Sequence, residues 1–202
     1  MNDVYQKTLV LIKHDGVSRG LVGEILSRFE RIGLKIVALK MVLPSKELAD
    51  KHYLASEEWC INIGNRILED YSKSDTKNII EDFGTNNAKD IGMKIKEWNN
   101  EFLIAGPVIA IVLEGPEAID LVRKMVGSTS PLESPMGTIR GDYTWDNRDI
   151  SSKQKRPMYN LIHASSSIED SKYEVNLWFS DSEICNYKTS DQDFMGWSSK
   201  LK

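Results

Sequence analysis

Thr8-Leu9-Val10-Leu11-Ile12-Lys13-His14-Asp15-Gly16 is the stretch from which the fold is read. Its first five residues form a short apolar run rich in β-branched side chains, the mark of a buried strand, and a charged, glycine-containing turn breaks it. Downstream, Leu21, Val22, Ile25, Leu26, Phe29 and Ile32 recur at helical spacing until Gly33 supplies a stop. Residues 36–42 read as a second strand, and Pro44-Ser45 opens a helix through Tyr53 with Ser45 as its cap. Residues 107–113 form a third strand, with Pro107 tolerated at its first position. Gly115-Pro116 is expected to start the next helix, because proline at a first helical position loses no hydrogen bond. Ala118, Ile119, Val122, Met125 and Val126 make the apolar stripe of that helix, and Gly127 ends it. Asn160-Leu161-Ile162-His163 reads as the fourth strand, and Ser167 with Glu169 and Asp170 starts a last helix. Strand–helix–strand, twice over, predicts a four-stranded antiparallel sheet with helices on one face, the split βαβ arrangement.

The 202 residues suit one domain with additions, and a hydrophobic content of 41% is ordinary for a soluble globule. A net charge of −4 argues against a broad nucleic-acid surface, yet a few local cations suffice for an anionic substrate. Cys60 and Cys185 stand far apart in no metal-ligand spacing and read as reduced thiols. No apolar run approaches the ~20 residues of a membrane span. The first residues lack the basic start and apolar stretch of a signal peptide, so the expectation is a cytoplasmic protein.

Four separated pieces carry the chemistry. They are Lys13-His14-Asp15-Gly16-Val17, then Arg123 with Thr129, then Gly137-Thr138-Ile139-Arg140-Gly141-Asp142, then Asn160-Leu161-Ile162-His163-Ala164-Ser165. The last holds one of only three histidines in the chain. Neither a G-x-x-x-x-G-K-[ST] loop nor a G-x-G-x-x-G turn occurs, so any nucleotide must be held by side chains. In this order the pieces resemble the nucleoside diphosphate kinase family, over roughly residues 6–53, 106–142 and 160–187. The resemblance implies a ferredoxin-like βαββαβ fold of α/β (α+β) class, in agreement with the pattern above. It also implies a phosphotransferase that moves the γ-phosphoryl group of ATP to a nucleoside diphosphate, by a ping-pong route through a phosphohistidine on His163. Magnesium bridging the β- and γ-phosphates is the implied cofactor, with no side chain assigned as metal ligand. The implied partners are nucleoside tri- and diphosphates and further copies of the chain, with a hexamer favoured over a tetramer.

Imidazole suits the nucleophile's task, because its neutral form is abundant near neutrality. Glu174 is the expected orienter of His163, with Ser165 tying down its carboxylate; a solvated helix position is the plainer reading of Glu174 alone. Phosphoryl transfer asks mainly for positive charge and placement. Lys13 at a strand end is expected to meet the terminal phosphates, an ordinary exposed strand-end lysine being the plainer reading outside its Asp15-Gly16-Val17 context. Arg123 either forks onto a phosphate or offsets the helix dipole. Thr129 offers either a hydroxyl donor or a cap. Arg140 is the stronger arginine, its flanking glycines letting the backbone approach a ligand. By resemblance, Asn160 bonds the sugar hydroxyl, Tyr53 brings its phenol near the transferred phosphate, and Trp59 stacks on the base. Packing alone would also account for Tyr53.

The resembled pattern is departed from in several places. His14 stands where it carries a proline, Ala164 where glycine is common, and Ser166 in place of an acid. The stretch between Tyr53 and Gly106 is more than twice the length the pattern implies. Its pieces 69–75 and 84–87 read as turn-rich. From Ala88 to about Phe102 a helix is expected to dock through Ile91, Ile95, Trp98 and Phe102. Residues 144–159 read as a polar surface loop. One domain over 1–187 is therefore expected, with insertions at about 57–103 and 144–158 and a polar, partly ordered tail over 188–202. Two other readings compete: a nucleotide-binding regulatory protein on the same fold without efficient turnover, and an RNA-binding module. The presence of Lys13, Arg123, Arg140, Asn160 and His163 together disfavours the first, and the absence of paired aromatics on a central strand disfavours the second.

Overall fold

One antiparallel sheet runs in the order β2–β3–β1–β4, from β1 (Tyr5–Ile12), β2 (Lys35–Val42), β3 (Val108–Pro116) and β4 (Ile162–Ala164). The structure, a computed structural model, describes residues 4–54, 56–74, 77–190 and 192. The central strands β1 and β3 are apolar on both faces because both faces are covered. Val10 and Ile12 of β1 point to one side with Ile109, Ile111 and Leu113 of β3. There they meet α2 (Val22–Arg31) through Ile25 and Phe29, and α7 (Ala118–Val126) through Val122 and Val126. These are the two helices that the strand–helix–strand pattern predicts on one face. Leu9 and Leu11 alternate to the other side, as a period of two requires, and pack there with Ala49, Leu103 and Trp178. That second layer comes from α3 (Lys46–His52), α6 (Ala88–Ile104) and α10 (Ile168–Trp178).

Local chemistry sets the helix ends. Ser45 Oγ accepts from Leu48 N at 3.1 Å, and Ser167 Oγ accepts from Asp170 N at 3.0 Å, as the sequence signals predict. Gly33 and Gly127 take positive φ at the ends of α2 and α7, the left-handed region that glycine enters without penalty. Two expected boundaries shift. Pro116 closes β3 and α7 starts two residues later, because the edge of β3 pairs through Tyr5–Pro116 before the chain turns. β4 begins at Ile162 and not at Asn160, since the residues before it are bent out of the ladder. A short helix, α1 (His14–Ser18), follows β1, so His14 occupies the first helical position, one a proline would also fill.

The first insertion is helical throughout most of its length: α4 (Glu57–Ser72), α5 (Ile79–Phe83) and α6. The turn-rich reading of 69–75 is overturned as far as Ser72, where α4 ends, and holds at Lys73–Ser74; Asp75 lies outside the described residues. That last turn is polar because it faces solvent, where Glu69 and Lys73 pair at 2.6 Å across one helical turn. α6 docks as predicted: Ile91 and Phe102 are buried, and Trp98 packs on Phe83 with centroids 5.5 Å apart. Two glycines let α4 and α6 touch backbone to backbone. A Cβ on Gly64 would stand 1.9 Å from the Ala88 carbonyl oxygen, and one on Gly92 2.1 Å from that of Cys60.

The second insertion is not a loose surface loop. Between α8 (Ile139–Tyr143) and β4 it carries α9 (Arg148–Lys153) around a buried Asp146. The Asp146 carboxylate accepts from Arg156 Nη1 (2.5 Å), Tyr159 N (2.7 Å) and Asn147 N (3.0 Å), which holds its pKa below the usual range despite burial. The two insertions also meet, through Arg148 with Asp70 at 3.0 Å and Lys77 with Asp149 at 2.5 Å. The expected tail falls largely on Asp191 and 193–202, outside the described residues. No helix among the described residues is long and apolar enough to cross a membrane.

Gly64→Ala is expected to destabilise the fold by ~1–3 kcal/mol, since the added methyl forces α4 off α6. Gly23→Ala, whose Cβ meets nothing within 4 Å, is expected to gain up to ~1 kcal/mol. Denaturant unfolding of both variants, with hydrogen exchange across 90–102, measures this. Equal stabilities would refute the glycine contact as the lock between the insertion helices.

Candidate active site

The site is built around a short bent segment that enters β4. Leu161 sits at φ 65°, a left-handed conformation costing a non-glycine residue ~1–2 kcal/mol. Asp15 at the start of α1 holds it there, its Oδ2 accepting from Leu161 N at 3.0 Å, while Leu161 O accepts from Lys13 N at 2.8 Å. Arg140, on α8, donates to the carbonyls on either side, Asn160 O at 3.1 Å and Ile162 O at 2.7 Å. Its remaining guanidinium nitrogen reaches Gly127 O (3.1 Å) and Ser128 O (2.9 Å) at the end of α7. The Asn160 side chain closes the circuit: Oδ1 accepts from Lys13 Nζ at 2.8 Å and Nδ2 donates to Thr129 O at 3.0 Å. The four motifs of the sequence are thus laced into one network of buried hydrogen bonds. Of the glycines flanking Arg140, Gly141 is required by packing, as a Cβ there would stand 2.2 Å from Pro135 O.

His163 leaves this bend on β4, paired with Leu11 of β1. Its Nε2 meets Glu174 Oε1 at 2.9 Å, and Ser165 Oγ donates to Glu174 Oε2 at 2.6 Å. Glu174 is 7% exposed on α10, with both oxygens engaged, so the carboxylate sits behind the ring as a fixed acceptor. A proton on Nε2 leaves Nδ1 with the free lone pair. Sequence reasoning did not find His52, the last residue of α3. Its ring packs edge-on against His163 with centroids 4.5 Å apart, and its Nδ1 accepts from Trp178 Nε1 at 3.3 Å. Burial, reinforced by His163 and Lys13, pushes its pKa well below the ordinary value. His52, His163 and Glu174 form the one cluster of metal-ligand type among the described residues. The Trp178 bond to Nδ1 puts the His52 proton on Nε2, which leaves no lone pair on that ring for a metal.

His163 opens into a cavity of about 700 Å³. Lys13, Tyr53, Trp59, Arg123, Thr129, Arg140 and Asn160 line the same cavity, so every sequence-predicted residue but Glu174 and its partner Ser165 reaches it. From its place after Tyr53 and Trp59 the first insertion is expected to border this cavity, and it does, though the other residues of the far wall were not legible in the sequence. Ile63, Arg66 and Ile67 come from α4, Ile95 and Asn99 from α6, and Arg148 and Arg156 from the second insertion. Six cationic side chains therefore line the cavity, and among the described residues no carboxylate does. Their mutual repulsion and burial register on the acid–base balance. Lys13, 7% exposed, is pulled down to about 8, chiefly by burial and further by Arg140. Arg140 is pulled to about 10, chiefly by burial and then by Arg123. Burial also raises the Tyr53 phenol, which stays protonated. Such a cavity is poised for an anion with several negative oxygens.

Comparison with known proteins points the same way. The family model described as nucleoside diphosphate kinase matches residues 6–60 and 93–184, and the unmatched gap falls inside the first insertion. A nucleoside diphosphate kinase of Pyrobaculum aerophilum is 43% identical over 179 residues, covering 89% of this chain and 97% of that protein. The one from Borreliella burgdorferi is 38% identical, covering 93% and 95%. The crystal structure of the Pyrobaculum aerophilum enzyme superposes with a TM-score of 0.86 at 41% identity, over 90% of this chain and all of that one. The Borrelia burgdorferi enzyme solved as a transition-state mimic with vanadate and ADP superposes at 0.74 and 38% identity, over 94% and 95%. A fold of this topology, a cationic cavity opening on one oriented histidine and relatives of this closeness lead to one conclusion: the chain belongs to the nucleoside diphosphate kinase family and is an enzyme of that type.

Proposed function

We propose that the enzyme works by a ping-pong route through a phosphohistidine on His163. The observation that carries this is His163 itself: Nε2 is tied to a buried carboxylate, and the ring opens into a cavity lined by cations. In the first half-reaction His163 Nδ1 attacks the γ-phosphorus of ATP. The N–P bond forms as the bond to the β-phosphate oxygen breaks, and the nucleoside diphosphate leaves with the electron pair. Glu174 accepts the hydrogen bond from Nε2–H and offsets the positive charge that develops on the ring. In the second half-reaction a terminal oxygen of another diphosphate attacks phosphorus and the N–P bond breaks.

Lys13, Arg123, Arg140 and the Thr129 hydroxyl are read as phosphate contacts, Tyr53 as a donor near the transferred group, Asn160 as the sugar contact and Trp59 as the base platform. The bound vanadate and ADP of the Borrelia burgdorferi enzyme, and the CDP of a Halobacterium salinarum enzyme at 29% identity and a TM-score of 0.63, support a nucleotide in this cavity. Magnesium ordinarily keeps one or two carboxylate ligands. With no carboxylate lining the cavity among the described residues, magnesium would enter as an ion carried by the nucleotide's own phosphates and would supply charge neutralisation there, while Lys13, Arg123 and Arg140 hold the phosphates. We read 1–187 as one domain with two insertions and 188–202 as a tail, in a cytoplasmic homo-oligomer, hexamer before tetramer. The exposed Leu39 and Met41 on the edge strand β2 support assembly.

His163→Ala is expected to lose acid-labile, alkali-stable labelling by γ-labelled ATP and to fall below about a thousandth of wild-type exchange, a loss of more than ~4 kcal/mol. Retention above that level would sink the nucleophile assignment. Initial-rate plots at several donor concentrations should be parallel; intersecting lines would mean direct transfer between two bound nucleotides. Lys13 gives a pH test. Its free-enzyme pKa of about 8 lies below that of a complex in which phosphate holds the ammonium charged, so KM for a diphosphate should be flat below pH ~8 and rise above it. Lys13→Arg, charged throughout, should abolish that rise. A wild-type KM unchanged up to pH ~9.5 would remove Lys13 from phosphate binding.

A further inference from the structure

We infer that Arg66, a residue of the first insertion outside the segments matched by the family model, is a phosphate-binding residue of this pocket. The inference rests on the proposed nucleotide site and adds a contact from the insertion. Trp59, Ile63, Arg66 and Ile67 all line the cavity and follow the i, i+4, i+7, i+8 spacing of one face of α4. Arg66 thus projects from the same face as the proposed base platform.

Its partners elsewhere are taken. The acids at helical spacing from it, Glu69 and Asp70, would be its ordinary mates. Glu69 is bound to Lys73 at 2.6 Å and Asp70 to Arg148 at 3.0 Å. Among the six cations of the cavity, Lys13, Arg140, Arg148 and Arg156 each have a hydrogen-bond or ion-pair partner. Arg66 and Arg123 meet none among the described residues. Arg66 is exposed, so water screens its charge, and its guanidinium is free to turn toward an anion that enters the cavity. A base edge offers only neutral acceptors, whereas a diphosphate offers both charge and the paired oxygens that a guanidinium fork matches. Arg66 is also carried on a fixed support, because Gly64 and Gly92 lock α4 to α6 and Phe102 of α6 stacks on Tyr159 with centroids 4.9 Å apart.

The test compares Arg66→Ala and Arg66→Lys with wild type, using ADP, GDP, CDP and UDP as acceptors. Arg66→Ala should raise KM by roughly 10- to 100-fold, the range of a charged hydrogen bond, and by the same factor for all four bases. Its kcat should stay within about threefold and its melting temperature should not fall. Arg66→Lys should recover part of the loss, and added KCl should raise KM more steeply for wild type than for Arg66→Ala. A KM within about twofold of wild type for every diphosphate would overturn the inference, and so would a loss confined to some bases, which would make Arg66 a reader of the base. Equilibrium dialysis of ADP against His163→Ala, with and without Arg66→Ala, reads the contact without turnover. Failure of the phosphohistidine route therefore leaves this measurement standing, and equal ADP affinities there would overturn the Arg66 assignment by itself.

Discussion

Leu161 is held in a left-handed conformation immediately before the strand that carries His163, and the rest of the site depends on that bend. A non-glycine residue stays there only if its surroundings over-determine it. Here Asp15 takes the Leu161 amide, the Lys13 amide takes its carbonyl, and Arg140 takes the carbonyls on both sides. The bend turns Asn160 toward Lys13 and Thr129, and it lets β4 start with His163 opposite Leu11. Lys13, Asp15, Arg140 and Asn160 thus have structural jobs as well. Removing one would loosen the others, because a buried network left partly satisfied costs more than its separate bonds suggest.

The cavity inverts the charge of the protein around it. The whole chain is net negative, yet the walls of this one cavity hold six cations and, among the described residues, no acid. The acids that could quench those cations are turned away from it. Glu174 is buried behind His163, Asp15 is spent on backbone amides, and Asp70 and Asp146 are engaged with arginines at the rim. Burial already weakens the hold of Lys13 and Arg140 on their protons, so a bound polyanion relieves a strain present in the folded protein. That is electrostatic preorganisation in the sense phosphoryl transfer needs: the field is in place before the substrate arrives.

The two insertions are part of this arrangement. α4 and α6 cross at glycines, Phe102 reaches from α6 to stack on both His14 and Tyr159, and Arg156 covers the other side of Tyr159 at 4.0 Å. This column of rings joins the first insertion to α1 beside Lys13 and to the end of the second insertion. The far wall is thus tied to the rest of the fold, and the cavity is closed in by the two insertions, of whose lining residues Ile63, Arg66 and Ile67 lie outside the matched family segments.

Much was legible in the chain itself. The continuous apolar runs marked β1 and β3, the helical stripes marked α2 and α7, and Ser45, Ser167, Gly33 and Gly127 marked helix ends, because these signals are local and lie within one turn or one strand. The chemical motifs were legible for a different reason: each is a short run, and in this order together they resemble one family. What stayed hidden was whatever depends on distant partners. The polar end of α4 read as turns because a solvated helix face lacks an apolar stripe, and residues 144–159 read as a loop because the Asp146–Arg156 pair that folds them is buried only once Tyr159 is in place. His52 gave no signal, since its value lies in Trp178 and His163, 126 and 111 residues away. The sequence by itself determined the sheet, its main helices and the motif residues that the fold brings to one cavity. Only the tertiary structure decided which nitrogen of His163 is free, which cations remain unpartnered and which segments close the cavity, because those follow from long-range hydrogen bonds and burial that no local pattern encodes.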